Sequence, residues 1–166
     1  KQFLLAKELF YRVRRIKGMD TTKTIDGEIF GLPIDGIIDA YIGTEDPIEV
    51  FRSYDTIIDI FTMINNPIHS ADKSETETFN ALPDRVKIYR GVYGEYLDDL
   101  NMGTSWTLKE STGKFFGRRF KELAENVYLM QGVIDKKDIL FYTNQRKEHE
   151  IIVDPSKIKN FRWEYV

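Results

Sequence analysis

Apolar residues recur along the first half of this chain at helical spacing. Over 3–17 and again over 47–64 they fall three or four residues apart, which predicts amphipathic helices. The second stretch is interrupted at Ser53-Tyr54-Asp55, where we expect a break or a bend. Glycines and prolines punctuate 18–47, so we expect turns and short elements there, with one helix over 34–41.

The pattern changes to strand-like alternation in the second half. Polar residues 70–77 predict a loop, and 86–90 then alternates apolar and polar residues over the length of a strand. The remaining expected elements are a helix over 111–123 and strands over 126–134, 138–142, 151–153 and 161–166. Because helices and strands are segregated, the chain predicts an α+β fold.

The length and composition indicate one globular domain. A chain of 166 residues favours a single core over residues 1–166, with a helical part over 1–80 and a β-rich part over 81–166. The shares of 42% hydrophobic and 31% charged residues are ordinary for a soluble protein. A formal net charge of -3 argues against tight nonspecific binding of nucleic acid, although a local basic cleft would escape a whole-chain count.

No stretch of the sequence predicts a membrane segment. The apolar runs are all shorter than the roughly 20 residues that a spanning helix requires, and the first residues lack the apolar centre of a signal peptide. We therefore expect a soluble protein. Because the chain begins with Lys1 and not with Met, a targeting segment could have been removed, and a secreted protein is the alternative.

The distribution of metal-binding residue types argues against a metal site. The chain has no cysteine, which excludes disulfides, thiolate nucleophiles and cysteine-ligated zinc. Its two histidines, His69 and His149, have no spacing that links them to a carboxylate cluster. We therefore expect no metal cofactor.

Three short stretches carry side chains that could bind a ligand or take part in catalysis. Arg90 ends a strand and meets Gly91, so its guanidinium could hold a phosphate while the glycine lets a ligand approach the backbone. Ser105 and Thr107 flank Trp106, so both hydroxyls would share one face and could orient a carboxylate. Each stretch alone also has an ordinary explanation, as a strand-end arginine before a turn or as a half-exposed strand with a core tryptophan.

The third stretch holds two carboxylates. Glu148 and Glu150 alternate directly before the apolar run 151–153, which would place both on one face with His149 opposite. Such a pair suits either a solvated strand start or acid–base chemistry. The two are too close in sequence to lie on opposite sides of a sugar bond, which argues against a glycosidase.

Taken in this order, the stretches resemble the mono-ADP-ribosyltransferase family of the arginine-serine-glutamate type, which includes bacterial toxins and bacteriophage enzymes that modify host proteins. The resemblance covers 82–159. Tyr89-Arg90-Gly91 is similar to the family's first motif, Thr104-Ser105-Trp106-Thr107 to its serine-threonine-serine strand, and Glu148-His149-Glu150 to its glutamate motif. Trp106 departs from the pattern, in which the central residue of the hydroxyl motif is small.

The resemblance implies a fold and an activity. The β-rich core would consist of two packed sheets around an NAD cleft, with a helical N-terminal half. NAD would be the substrate, and its ADP-ribose would pass to a side chain of a host protein with release of nicotinamide. A phage or bacterial effector of this kind would act in the host cytoplasm. NAD glycohydrolysis and a non-catalytic binding or inhibitor protein of the same fold are the alternatives.

The resemblance also implies residue roles. Arg90 would bind NAD through a phosphate or a ribose, and the Gly91 backbone would meet the nicotinamide amide. Ser105 and Thr107 would both belong to the NAD-binding site. Ser105 would in addition hold the catalytic Glu150 in place. Glu150 would bond the nicotinamide ribose and stabilise an oxocarbenium-like transition state.

The resemblance further implies that Glu148 determines which type of side chain accepts the ADP-ribose. A glutamate at this position goes with arginine as the modified side chain, because a guanidinium with a pKa of about 12.5 or above needs help to lose a proton. Residues 144–146 would lie on the loop that recognises the target protein.

Overall fold

The structure is a computed structural model that describes residues 28–29, 32–44, 47–51, 53–68, 73–94, 102–119 and 126–166. Over these residues the chain is a mixed α/β protein with a six-stranded antiparallel sheet. It divides into two units, Lys1–Asn65 and Asn66–Val166, which are taken here in turn. The helix expected over 3–17 lies outside the described residues.

The first unit contains a short β-ladder followed by helices. Strand β1 (Glu28–Ile29) pairs antiparallel with β2 (Leu32–Pro33). The helices are α1 (Ile34–Ile42), α2 (Pro47–Phe51) and α3 (Tyr54–Ile64). The helix expected over 34–41 and the interrupted helix expected over 47–64 are thereby confirmed.

Local capping explains where α3 begins and ends. Ser53 is extended, and its hydroxyl accepts a hydrogen bond from the Thr56 backbone at 3.1 Å, which satisfies a first-turn donor. Asn65 adopts a left-handed conformation with φ of 47°, which ends the helix. Tyr41 packs its ring against Phe51 and Phe61 at 5.8 and 5.1 Å between centroids, within the apolar core of this unit.

The second unit is built on the six-stranded sheet. Its elements are α4 (Lys73–Asn80), β3 (Arg85–Gly94), β4 (Ser105–Thr107), α5 (Glu110–Arg118), β5 (Asn126–Asp135), β6 (Ile139–Thr143), β7 (Glu150–Val153) and β8 (Lys159–Tyr165). The strand order is β6-β7-β4-β3-β5-β8, with every pair antiparallel. The other expected strands are confirmed with small shifts at their ends, and the expected helix over 111–123 is described over Glu110–Arg118. The expectation that a strand ends at Arg90 is wrong, because β3 stays paired with β5 as far as Gly94 and Arg90 lies inside the strand.

The loop expected over 70–77 is wrong from Lys73 onward, because α4 occupies Lys73–Asn80, and 70–72 lie outside the described residues. Glu75 and Phe79, four residues apart, are both buried on one face of this helix. Lys136 Nζ binds the end of the segment, donating to the backbone oxygens of Asn80 and Leu82 at 2.8 and 3.2 Å. The sequence pattern does not predict this helix, because one of its two buried residues is Glu75, and a charged residue does not count as apolar in a search for helical periodicity.

The sheet has a narrow joint between two groups of strands. β3 pairs with β5 along its whole length but with β4 at the single pair Tyr89–Thr107, within the residues that the structure describes. Strands β3, β5 and β8 thus form one group, and β4, β7 and β6 form the other. Arg90, which follows Tyr89 within β3, and Ser105, on β4, lie beside this joint.

Helix α5 approaches β3 so closely that backbone touches backbone. A Cβ atom at Gly91 would lie 1.9 Å from Gly113 O and 2.2 Å from Gly117 N. On the same face, Gly113 and Gly117 sit against the side chains of Leu129 and Val127. The glycine at position 91 is therefore required by helix packing.

The other face of the sheet carries the apolar core. Alternation along β3 places Val86, Ile88 and Arg90 on this side, away from α5. The buried cluster includes Val86, Ile88, Trp106, Met130, Ile151 and Val153. Arg90 is therefore carried at the edge of the core, opposite the face that binds the helix.

Substituting Gly91 by alanine should destabilise the protein by about 3 kcal/mol or more, because the new methyl group would overlap backbone atoms that cannot rotate away. Urea unfolding followed by circular dichroism measures the effect. Lys87→Ala, at an exposed position of the same strand and face, should change stability by no more than about 0.5 kcal/mol. A Gly91→Ala protein as stable as wild type would contradict this packing.

Candidate active site

Ser105 and Glu150 meet across neighbouring strands. The Ser105 hydroxyl donates to Glu150 Oε1 at 2.5 Å. The register pairs Thr107 with Glu150, so Ser105 lies diagonally opposite the glutamate on the same face. Glu150 is 6% exposed, at the head of an otherwise apolar strand. The hydrogen bond to Ser105 therefore offsets part of the cost of burying this carboxylate.

Arg90 reaches the same place from β3. Its Nη1 donates to the backbone oxygen of Ser105 at 2.6 Å. The guanidinium lies against Gly103, where a Cβ would fall 2.6 Å from Nη2 and where φ is +53°. Trp106 is buried and donates through Nε1 to Gly103 O at 3.1 Å, which fixes this loop. A glycine at 103 therefore makes room for the guanidinium beside the hydroxyl motif.

The turn between β6 and β7, residues 144–149, positions Glu148. The Thr107 hydroxyl donates to the backbone oxygen of Glu148 at 2.6 Å. Within the turn, Asn144 Oδ1 accepts from the His149 backbone at 3.1 Å. The Thr107 hydroxyl thus anchors the turn, and its expected part in NAD binding stays a prediction.

Glu148 and Glu150 lie on one side as expected, but strand alternation is not the reason. Strand β7 begins at Glu150, and His149 is left-handed with φ of 48°, so simple strand alternation does not apply at 148. The His149 ring lies on the other side, where Nδ1 is 3.1 Å from the Tyr142 hydroxyl. Burial lowers the pKa of His149 and raises the pKa of Tyr142, so both are neutral near pH 7.

Arg146 joins the two carboxylates. Its Nη2 lies 3.1 Å from Glu148 Oε2 and 3.3 Å from Glu150 Oε2. Burial raises the pKa of the Glu148 carboxyl; the Arg146 charge opposes this shift, and the Glu150 charge adds to it. The guanidinium therefore relieves the repulsion between two acids held on one side of the turn.

Glu75 is a site residue that sequence reasoning missed. Its carboxylate is 3% exposed, and Oε1 accepts hydrogen bonds from the Thr143 hydroxyl at 3.3 Å and from the Asn144 backbone. Among the described residues, Oε2 has no hydrogen-bond partner. Glu75 thus holds the start of the turn that carries Glu148. The spacing of Glu75 and Phe79 was the available signal, but two positions are too few to define a helix face.

The structure therefore links Ser105 directly to Glu150, Glu150 to Glu148 through Arg146, and Arg90 to the backbone oxygen of Ser105. Gly91 has a different, structural role, because its lack of a side chain allows α5 to pack against β3. The expected contact of its backbone with nicotinamide stays a prediction. Among the described residues, no group of three side chains could hold a metal ion, and no helix is long and apolar enough to cross a membrane.

Comparisons of this chain with protein-family models, curated proteins and solved structures give no match. Any functional conclusion consequently depends on the geometry of the site and on the motif resemblance.

Replacing Glu75 by alanine should loosen the turn, because the Asn144 amide would lose its acceptor at a cost of about 1–3 kcal/mol. Trypsin cleavage of the native protein after Arg146 and Lys147 should then accelerate roughly tenfold. Glu75→Gln keeps an acceptor oxygen and should change the rate much less.

Glu77→Ala, on the exposed side of the same helix, is the matched control and should cleave like wild type. Equal cleavage rates for Glu75→Ala and Glu77→Ala would show that Glu75 does not hold the turn.

Proposed function

We propose that the protein is an NAD-dependent mono-ADP-ribosyltransferase that modifies arginine side chains of a host protein. The observation that carries this proposal is the direct hydrogen bond from Ser105 to the buried Glu150, with the Arg90 guanidinium bound to the Ser105 backbone. Binding alone would not require an arginine, a hydroxyl and a buried carboxylate at one point.

The chemistry of these donors and acceptors fits NAD. A guanidinium offers planar, charged donors that match phosphate oxygens, which suits Arg90 to the pyrophosphate. A carboxylate accepts hydrogen bonds from ribose hydroxyls and favours positive charge close to it, which suits Glu150 to the nicotinamide ribose. Ser105 keeps that carboxylate oriented before substrate arrives.

The proposal includes the fold that this chemistry needs. The core would consist of two packed sheets about an NAD cleft, following a helical N-terminal half. The single pair Tyr89–Thr107 between two three-stranded groups supports it, because a sheet joined so narrowly can open into two layers at that point.

In the proposed reaction, the bond between ribose C1′ and the nicotinamide nitrogen breaks, and nicotinamide leaves as a neutral molecule. Glu150 stabilises the positive charge that develops on the ribose. A guanidinium nitrogen of the acceptor forms the new bond to C1′, and Glu148 takes the proton that this nitrogen loses.

The Arg146 contacts favour arginine as the acceptor. A guanidinium already lies within 3.3 Å of both Glu148 and Glu150, so the two carboxylates accommodate this group. NAD glycohydrolysis, in which water replaces the acceptor, would not require a site that accommodates a guanidinium. The family resemblance extends the proposal to a phage or bacterial effector acting in the host cytoplasm.

Glu150→Gln should lower the release of nicotinamide from NAD by about 10²–10³-fold, because the amide no longer stabilises the developing charge. Ser105→Ala should cost about tenfold through loss of one charge-assisted hydrogen bond. Nicotinamide release is measured with a small guanidine, agmatine, as acceptor, and labelled NAD with cell extract reveals the target.

The control is Glu110→Gln, an exposed glutamate of α5 that should release nicotinamide at the wild-type rate. Circular dichroism and Tm verify that each variant is folded. Wild-type protein that consumes no NAD with agmatine or with extract would refute the proposed function.

The share of transfer relative to hydrolysis should fall as pH decreases. Because burial raises the pKa of Glu148, its carboxyl stays protonated to a higher pH than an ordinary glutamate and cannot then accept the guanidinium proton. The ratio of ADP-ribosyl-agmatine to free ADP-ribose, measured from roughly pH 4.5 to 8, reports this titration. In Glu148→Gln the ratio should be low and nearly flat, and the same pH curve as wild type would contradict the assignment.

A further inference from the structure

Arg146 places a guanidinium where an acceptor would have to lie. Its Nη2 bridges Glu148 and Glu150 at 3.1 and 3.3 Å, and its side chain is 39% exposed. The residue stands four positions before Glu150, in the turn that Glu75 and Thr107 anchor. The protein's own side chain thus makes the contacts that the proposed function requires of a substrate arginine.

We propose that Arg146 is a site at which the protein ADP-ribosylates itself; this inference rests on the proposed function. Holding an acceptor in the same molecule converts a bimolecular encounter into a unimolecular step, and well-oriented groups gain large effective concentrations in this way. A guanidinium already beside both carboxylates needs no further search for its reaction partner.

The step balances as the transfer to an external arginine does. The C1′–nicotinamide bond breaks, nicotinamide leaves, and a terminal nitrogen of Arg146 forms the new bond to C1′. The proton lost from the guanidinium passes to Glu148, which lies 3.1 Å away, and from there to solvent. Exposure of the side chain leaves room for the attached ADP-ribose to project into water.

Other arginines differ in their surroundings. Arg162 lies on β8, at the edge of the sheet remote from β7 in strand order, and donates to Gln131 Oε1 at 3.0 Å. Arg119 influences the Glu148 carboxyl through its charge, so it is the competing position that must be separated by mapping.

The test incubates the full chain with NAD and no other acceptor, then measures the intact mass and maps the modified peptide. We expect one ADP-ribose on Arg146 of wild type, none at position 146 of Arg146→Lys, and wild-type labelling of Arg162→Lys. The labelling rate per molecule should not depend on protein concentration. A Glu150→Gln chain mixed with wild type should stay unlabelled, because the reaction is intramolecular.

Wild type with NAD and excess agmatine tests the proposed function separately. If agmatine is modified but Arg146 is not, or if the label lies on Arg119, self-modification at Arg146 is overturned while the transferase stands. If neither agmatine nor the chain is modified, both proposals fail.

A measurement without NAD tests the contact itself. Phenylglyoxal, an arginine-selective dicarbonyl, should react with Arg146 several-fold more slowly in wild type than in Glu148→Gln, while its reaction with Arg162 should be equal in both. Equal rates at Arg146 would show that its contact with Glu148, the proposed proton acceptor, does not form, which would remove the basis of the inference.

Discussion

The buried carboxylate of Glu150 is the constraint around which the second unit is arranged. A carboxylate at the head of an apolar strand is costly unless hydrogen bonds and opposite charge compensate it. Ser105 supplies a hydroxyl at 2.5 Å and Arg146 a guanidinium at 3.3 Å. Ser105 and Arg146 thus compensate the buried charge of Glu150, and the three residues form a preorganised polar site beside the apolar core.

Two neighbouring residues of β3, Arg90 and Gly91, have different structural roles beside this site. Gly91 faces α5 and allows the helix backbone to lie against the strand, while Arg90 faces the opposite side and binds the backbone of Ser105. The helix therefore packs on the face of the strand that carries Gly91, and Arg90 lies on the opposite face. This arginine–glycine pair connects the packing of the helix with the contact to Ser105 beside the joint.

The turn that carries Glu148 depends on residues distant in sequence. Glu75 binds its first amide, Thr107 binds the Glu148 backbone, and the left-handed His149 redirects the chain into β7. Because the anchors come from a helix and from a neighbouring strand, the turn keeps its form although its tip is exposed. Preorganisation of this kind is what the proposed reaction would require of Glu148.

The sequence by itself determined the helix over 34–41, the break before Tyr54, and the strands that carry Arg90, Ser105 and Glu150. Local periodicity and capping decide such features. Arg90, Ser105, Glu148 and Glu150 could be named as candidates from their order along the chain. Only the tertiary structure decided that α4 forms around Glu75, that Gly91 serves helix packing, and that Arg146 bridges the two carboxylates. These outcomes depend on desolvation and contact between strands, helices and turns that no local pattern records.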